Sequence, residues 1–325
     1  MKRRAPRWLI EATAWSAALV MVLGVVVVVT GVIKTTQLYG ETPVVHFSTE
    51  TVATVPFTSA RSLVKNVTPR ARTGVPIEVS LGPPPGPHDD PVPTAFAAPE
   101  NRYAVLFGVT TYRKPTHDTI AGAEDVEFIR SLLLGSGWKS ENIHLITNRQ
   151  ATGAALRSEL QWLAGKSTPG TFTLFHFSGH VKQEGGHEKL WPYDHDFVTD
   201  TFVAHTLNQG SGKLWVDIAG CEAGGFIENL PSSRVLVSTS SERFQKSYEF
   251  PQWGESVWTG LLWDLGLAQG QSDANHNNVA TVGESLRWAQ YYAQAITLHQ
   301  QPHGRQTPQF AGDPVLGWTL DNPPA

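Results

Sequence analysis

The sequence predicts an α/β domain built on a mostly parallel sheet flanked by helices, preceded by one transmembrane helix. Three observations lead there. Between residues 103 and 299, apolar runs of strand length alternate with stretches of helical periodicity. Residues 12–33 form a single apolar run, and about 20 such residues span a bilayer. Between the two lie residues 41–100, which hold 11 of the chain's 22 prolines.

Tyr103–Val109 is a continuous apolar run and reads as the first buried strand. The spacing of Val126, Ile129 and Leu133 predicts a helix over 121–134. Ile143–Thr147 is the second strand, and Thr152 caps a helix carrying Leu156, Leu160 and Leu163. Thr171–Phe177, Lys213–Ile218 and Arg234–Thr239 are the third, fourth and fifth strands. Helices follow over 255–265 and 282–299. Such alternation implies a parallel sheet covered by helices, within a domain spanning residues 101–320.

Lys2, Arg3, Arg4 and Arg7 precede the apolar run, and Lys34 alone follows it closely. The positive-inside tendency therefore makes residues 1–11 a cytoplasmic tail, with the folded domain on the extracytoplasmic side of a single-pass cell-membrane anchor. The alternative is a cleaved signal peptide. Its core would be shorter, and Lys34-Thr35-Thr36-Gln37-Leu38 is no small-residue cleavage site. Residues 34–100, with Pro83-Pro84-Pro85-Gly86-Pro87, read as a semi-extended tether in which Val75–Leu81 adds a short strand.

Charged residues are 17% of the chain, with 25 Lys and Arg against 29 Asp and Glu. This balance excludes a nucleic-acid binder working through a large basic field, and the 41% apolar content excludes wholesale disorder. Residues 1–40 carry net +4, which leaves −8 for the remainder. The single cysteine, Cys221, excludes an intrachain disulfide and any metal site built on several thiolates. No Gly-x-Ser-x-Gly elbow, phosphate loop or Gly-x-Gly-x-x-Gly is present, which argues against serine hydrolases and nucleotide enzymes.

Two strands end in residues with chemistry. Thr171–Phe177 leads into Ser178-Gly179-His180, and Lys213–Ile218 into Ala219-Gly220-Cys221-Glu222-Ala223-Gly224-Gly225. Sites in open parallel sheets form at the carboxyl ends of strands, so neighbouring strands would bring His180 and Cys221 side by side. An imidazole beside a thiol lowers its pKa and moves its proton, as a cysteine nucleophile requires. The alternative is a small buried hydrophobe.

Phe175-His176-Phe177-Ser178-Gly179-His180, followed 41 residues later by the glycine-flanked Cys221, resembles the caspase-like cysteine peptidases, including caspases, metacaspases and their bacterial relatives. Further segments match in order. Tyr103–Val109 with Tyr112 is similar to the opening strand, and Ala121-Gly122-Ala123-Glu124-Asp125 to the entry of the first helix. Leu190-Trp191-Pro192-Tyr193-Asp194 resembles the segment between His and Cys. Val235–Ser240, Glu249 and Ser256-Val257-Trp258-Thr259 resemble the next strand and helix, and Gln306-Thr307-Pro308-Gln309 a closing motif of bacterial members.

The resemblance implies an endopeptidase acting on peptide or protein substrates, with Cys221 as nucleophile and His180 as proton carrier. Its oxyanion donors would be the N–H groups of Val181 and Cys221. Asp125, Asp194 and Ala219 would fall at substrate-binding positions, and no third orienting side chain is implied. Two residues depart from the family pattern. Val181 stands where glycine is usual, and a β-branched residue crowds an oxyanion hole. Ala219 stands where members specific for Arg or Lys carry an acid, while Asp217, four residues before the cysteine, points elsewhere. These departures motivate the alternative of an inactive caspase-like domain that binds peptides or proteins.

The loop 273–284 has a twelve-residue calcium cadence. Asp273, Asn275, Asn277, Thr281 and Glu284 would offer side-chain oxygens and Val279 a carbonyl, with Asn278 tolerating the left-handed turn. A weak Ca2+ site and a plain Asn-rich turn before the 282–299 helix both fit; the chemistry itself needs no cofactor. Trp191 and Trp215 could line a cleft, though core packing is the ordinary role for tryptophan. His176, in mid-strand, reads as structural.

Overall fold

The computed structural model describes residues 86, 88–251, 253–300 and 303–325, and the backbone of Val45–Phe47 and Ile77–Val79. The apolar run 12–33 and most of the tether lie outside the described residues. Among the described residues, no helix is long and apolar enough to cross a membrane.

Val45–Phe47 (β1) and Ile77–Val79 (β2) pair antiparallel, the latter within the stretch expected to form a strand. The domain itself begins with Arg102–Gly108 (β3), then Gly122–Gly135 (α1), Ile143–Thr147 (β4) and Gly153–Lys166 (α2). Phe172–Ser178 (β5) follows, then the short strands Val181–Glu184 (β6), His187–Leu190 (β7) and Val198–Thr199 (β8), and the helix Asp200–Leu207 (α3). Lys213–Ala219 (β9), Phe226–Asn229 (α4), Val235–Thr239 (β10), Glu249–Phe250 (β11) and Glu255–Ser256 (β12) come next. Val257–Thr259 (α5) runs on as a π-helix over Gly260–Ala268, before Val282–Thr297 (α6) and Gln309–Gly312 (β13).

The main sheet has the order β13-β10-β9-β5-β3-β4. Its strands are parallel except β13, which closes one edge antiparallel to β10. Interior parallel strands are buried on both faces, which is why β3, β5, β9 and β10 read as largely apolar runs, while the edge strand β4 is half-buried. One face carries Leu106, Leu174 and Trp215 against α1, the π-helix and α6; the other carries Phe107, Phe175 and Val216 against α2 and α3. Contact between β3 and α1 needs glycine: a Cβ at Gly108 would lie 2.1 Å from the Gly122 carbonyl oxygen.

The apolar face is interrupted by one polar hub. His176, Asp217 and Ser238 stand in register across β5, β9 and β10, and all three are fully buried. The Asp217 carboxylate accepts from His176 Nδ1 (2.8 Å), Ser238 Oγ (2.5 Å), Trp258 Nε1 (2.8 Å) and Trp263 Nε1 (2.8 Å). Trp215 Nε1 in turn donates to Ser238 Oγ at 2.8 Å. The two indoles come from residues five apart, and the i→i+5 repeat of the π-helix brings such residues toward one face. Trp215 is therefore core, as is His176.

The last part of the expected tether is docked on the domain. Asp90 pairs with Arg287 of α6, Ala97 N–H donates to the Pro323 carbonyl (2.9 Å) and Ala325 N–H to that of Ala95 (3.1 Å). Proline fixes φ at angles an extended strap adopts, so this composition fits a docked strap as well as a free spacer.

Candidate active site

β5 and β9 are adjacent and parallel, with Ser178 opposite Ala219. Gly179 N–H extends the ladder by donating to the Ala219 carbonyl at 3.1 Å. His180 and Cys221 each lie two residues beyond the last paired position, at the carboxyl edge of the sheet. A glycine is needed in both turns. A Cβ at Gly179 would lie 2.5 Å from the Tyr112 hydroxyl, and one at Gly220 would lie 2.5 Å from Val181 Cγ2 and 2.7 Å from the Gly179 oxygen.

His180 is held on three sides. Its backbone N–H donates to Tyr112 Oη at 2.7 Å, the Tyr112 ring lies 4.7 Å from the imidazole by centroids, and the Trp191 ring lies 5.7 Å away. Its Nε2 is 2.9 Å from the His117 carbonyl. A carbonyl can only accept, so Nε2 carries hydrogen and Nδ1 keeps its lone pair. Burial lowers the His180 pKa, with the charges of His117 and Lys246 acting in the same direction.

Cys221 Sγ accepts the Ser247 N–H at 3.4 Å and lies 3.7 Å from the Ser247 carbonyl. Burial pushes the thiol up, Glu222 and Glu249 add to this, and the Ser247 N–H and Lys246 oppose it. Both shifts favour the neutral forms, a protonated thiol and an uncharged imidazole. The segment over the thiol is pinned by Glu222, whose φ is 57°. Glu222 N–H donates to the Gln245 carbonyl (2.7 Å), and its carboxylate accepts from Gln183 N–H (2.8 Å) and Lys246 Nζ (2.5 Å).

Val181 opens β6 and is buried. Trp191 N–H donates to the His180 carbonyl at 3.1 Å, which makes 180 and 191 the hydrogen-bonded pair. Alternation in an antiparallel ladder then makes Val181 and Leu190 a pair whose N–H groups point away from each other, so β7 does not take the Val181 N–H.

The three residues expected at substrate-binding positions are engaged within the fold. Asp125 is 0% exposed and accepts from Ser178 Oγ (2.6 Å) and Ser256 N–H (3.0 Å). Burial raises its pKa against those bonds. Asp194 Oδ1 accepts the Gly153 N–H at the start of α2 (2.9 Å), and Ala219 packs in the core. In the 273–284 loop, Asp273 accepts from the N–H groups of Asn277 (3.1 Å) and Asn278 (2.7 Å), and Asn275 and Asn277 make similar local bonds. Glu284 forms a capping box with Thr281 and also accepts from Ala274 N–H, while Val279 is exposed. Among the described residues no group of three or more His, Cys, Asp or Glu side chains could hold a metal ion.

Residues 101–258 match the caspase domain of the peptidase C14 family. The chain is also similar to Metacaspase-1 of Candida albicans, 26% identical over 152 residues, covering 38% of this chain and 34% of that protein. The chain thus spans about a third of the length of this curated relative. Among solved structures, it resembles protein GSU0716 of Geobacter sulfurreducens (TM-score 0.51, 14% identity, 69% of this chain and 100% of that one). It also resembles Caspase-1 of Spodoptera frugiperda (TM-score 0.50, 11% identity, 71% of this chain and 92% of that one). At these identities the structural likeness establishes the caspase-like α/β fold.

Of the two tryptophans that could line a cleft, Trp191 flanks the His180 imidazole and Trp215 does not, while Tyr112 and Glu249 stood in the sequence only as motif positions. The His117 carbonyl and Ser247 N–H are backbone groups, which no side-chain pattern marks.

Proposed function

We propose that this chain is a cysteine-type endopeptidase in which Cys221 attacks the peptide carbonyl and His180 carries the proton. The observation that carries the reading is the pair of adjacent strand ends presenting a thiol and an imidazole whose Nδ1 is left basic by the His117 carbonyl. The Cys221 proton passes to Nδ1 as sulfur bonds to the carbonyl carbon. The developing oxyanion is met by the N–H groups of Val181 and Cys221. Protonated His180 then gives its proton to the departing amine, the C–N bond breaks and a thioester remains. Water, deprotonated by His180, cleaves that thioester and restores the thiol. No cofactor enters these steps, and the substrate is a peptide or protein.

We place the reaction outside the cytoplasm, on a domain anchored through residues 12–33; the charge asymmetry around that segment supports this topology. A second reading, a caspase-like module that binds peptides without cutting them, is favoured by the half-buried thiol, whose sulfur already accepts the Ser247 N–H, and by Val181. The experiment that separates them incubates the full-length protein and Cys221→Ala with a peptide library. Cleavage by the wild type and none by the variant is the expected result. Equal cleavage by both would overturn the enzyme reading, and binding by both without cleavage would establish the second.

A further inference from the structure

We propose that Glu249 and Asp125 are positioning residues, a cross-brace that aligns His180 with Cys221; the proposal rests on the peptidase reading above. The loop between β3 and α1 supplies the His117 carbonyl that sets the imidazole's tautomer. Glu249 fixes the far end of that loop: its Oε2 accepts the Ile120 N–H at 2.7 Å and its Oε1 the Ala121 N–H at 3.1 Å. Glu249 lies two residues after Ser247, whose N–H reaches the Cys221 sulfur. One carboxylate therefore ties the segment that orients the imidazole to the segment that touches the thiol.

Asp125 completes the brace in the opposite direction. It belongs to the first turn of α1 and accepts the Ser256 N–H of β12, the partner strand of β11, on which Glu249 sits. Its other oxygen takes the hydroxyl of Ser178, two residues before His180. The two anchor points are joined by the Asp125 N–H, which donates to the Ala121 carbonyl at 2.7 Å. Three segments meet here: the His117 loop, the β11–β12 hairpin and the end of β5. Each carboxylate joins the hairpin to another of the three. With both oxygens engaged and no exposure, Asp125 acts through its neighbours and touches no substrate in this arrangement.

The test is the rate of Cys221 alkylation by iodoacetamide in the full-length protein, measured across pH, with thermal melting in parallel. His180→Ala defines the rate without help from the imidazole. Glu249→Ala should bring the rate to that level, a fall of at least about tenfold, since misplacement by about 1 Å can remove a hundredfold. Glu249→Gln, which drops the charge and keeps an acceptor, should recover most of it. Loss of negative charge alone would instead speed alkylation in both variants, and that result would overturn the brace. Arg287→Ala, which breaks the ion pair between α6 and Asp90, supplies a destabilised control and should leave the rate within about twofold. An equal fall in that control would reduce Glu249 to a stability residue and sink the proposal. If Cys221→Ala cleaves peptides as well as the wild type, the peptidase reading fails while the alkylation comparison still decides the brace.

Discussion

Replacing Asp217 tests the polar hub beneath the strand ends. Its carboxylate takes four donors in a site with no solvent exposure. In Asp217→Ala the Ser238 hydroxyl can rotate and His176 can change tautomer, but the indole N–H groups of Trp258 and Trp263 have no other partner within the hub. An orphaned buried donor costs about 1–3 kcal/mol, and the missing carboxylate leaves a void as well, so the loss should reach about 4 kcal/mol. That is a large share of a typical stability of roughly 5–15 kcal/mol. At roughly 2–4 °C per kcal/mol for a domain of this size, melting should fall by about 8–16 °C. Asp217→Asn keeps an oxygen for Ser238 and Trp258 but turns an amide donor toward Trp263. One orphan remains, with a loss of about 1–3 kcal/mol. Thermal and urea unfolding followed by tryptophan fluorescence would read the series. A loss under about 1 kcal/mol in the alanine variant, or equal losses in both, would refute the hydrogen-bond reasoning.

Gly220→Ala should cut peptide cleavage by at least about tenfold, because its Cβ would lie 2.5 Å from Val181 Cγ2; Val181→Ala in the same chain should restore part of the rate, and no rescue would mean the Gly179 carbonyl, 2.7 Å away, is the real obstacle. Glu284→Ala should lower stability by about 1 kcal/mol through loss of the capping box at the start of α6, by the same amount in calcium and in chelator; a loss seen only in calcium would turn the loop into a metal site. The Glu249 carboxyl is pushed up to about 7, first by burial, then by Asp125 and Glu124, against its two N–H bonds; Tyr112 and Cys221 also face it. The folded state therefore keeps its proton to about pH 7, while the unfolded chain releases it near the ordinary 4.5, so this contribution is complete below that value and disappears as pH rises to about 7. Glu249→Gln should accordingly gain on the wild type between pH 5 and pH 8, by up to about 3 kcal/mol, and a pH-independent difference in urea midpoints would refute it.

The parallel strands were legible because burial on both faces leaves an apolar run with little polar interruption. β4 falls where the sequence puts it, and β9 ends one residue later. The helix capped by Thr152 was legible through one hydroxyl, which accepts the Ala155 N–H. The β6–β7 hairpin was missed although Gly185-Gly186 marks it: both have positive φ, 65° and 85°, and form the two-residue link that such hairpins favour. The polar residues Lys182, Gln183, Glu188 and Lys189 hid the strands, because a small sheet outside the core lacks the apolar signature. α3 is eight residues long, too short for periodicity to stand out. The π-helix defeats a reading that assumes 3.6 residues per turn, so Trp258 and Trp263 gave no hint of converging on Asp217. At the site, residue type marked Cys221 and His180 at two strand ends, and the adjacency of those strands came only with the fold. The backbone groups around them belong to loops, which become visible only when distant segments are brought together.

The clasp between residues 95–97 and 323–325 has a mechanical consequence. Tension entering through the chain before residue 88 meets the Asp90–Arg287 pair and this clasp before it reaches β3, the strand whose loop orients His180. A pull of that kind would peel a peripheral strap while the sheet edge bearing His180 and Cys221 stayed assembled. Under such a load the clasp would act as a mechanical fuse, yielding before force reached the strand ends that carry His180 and Cys221.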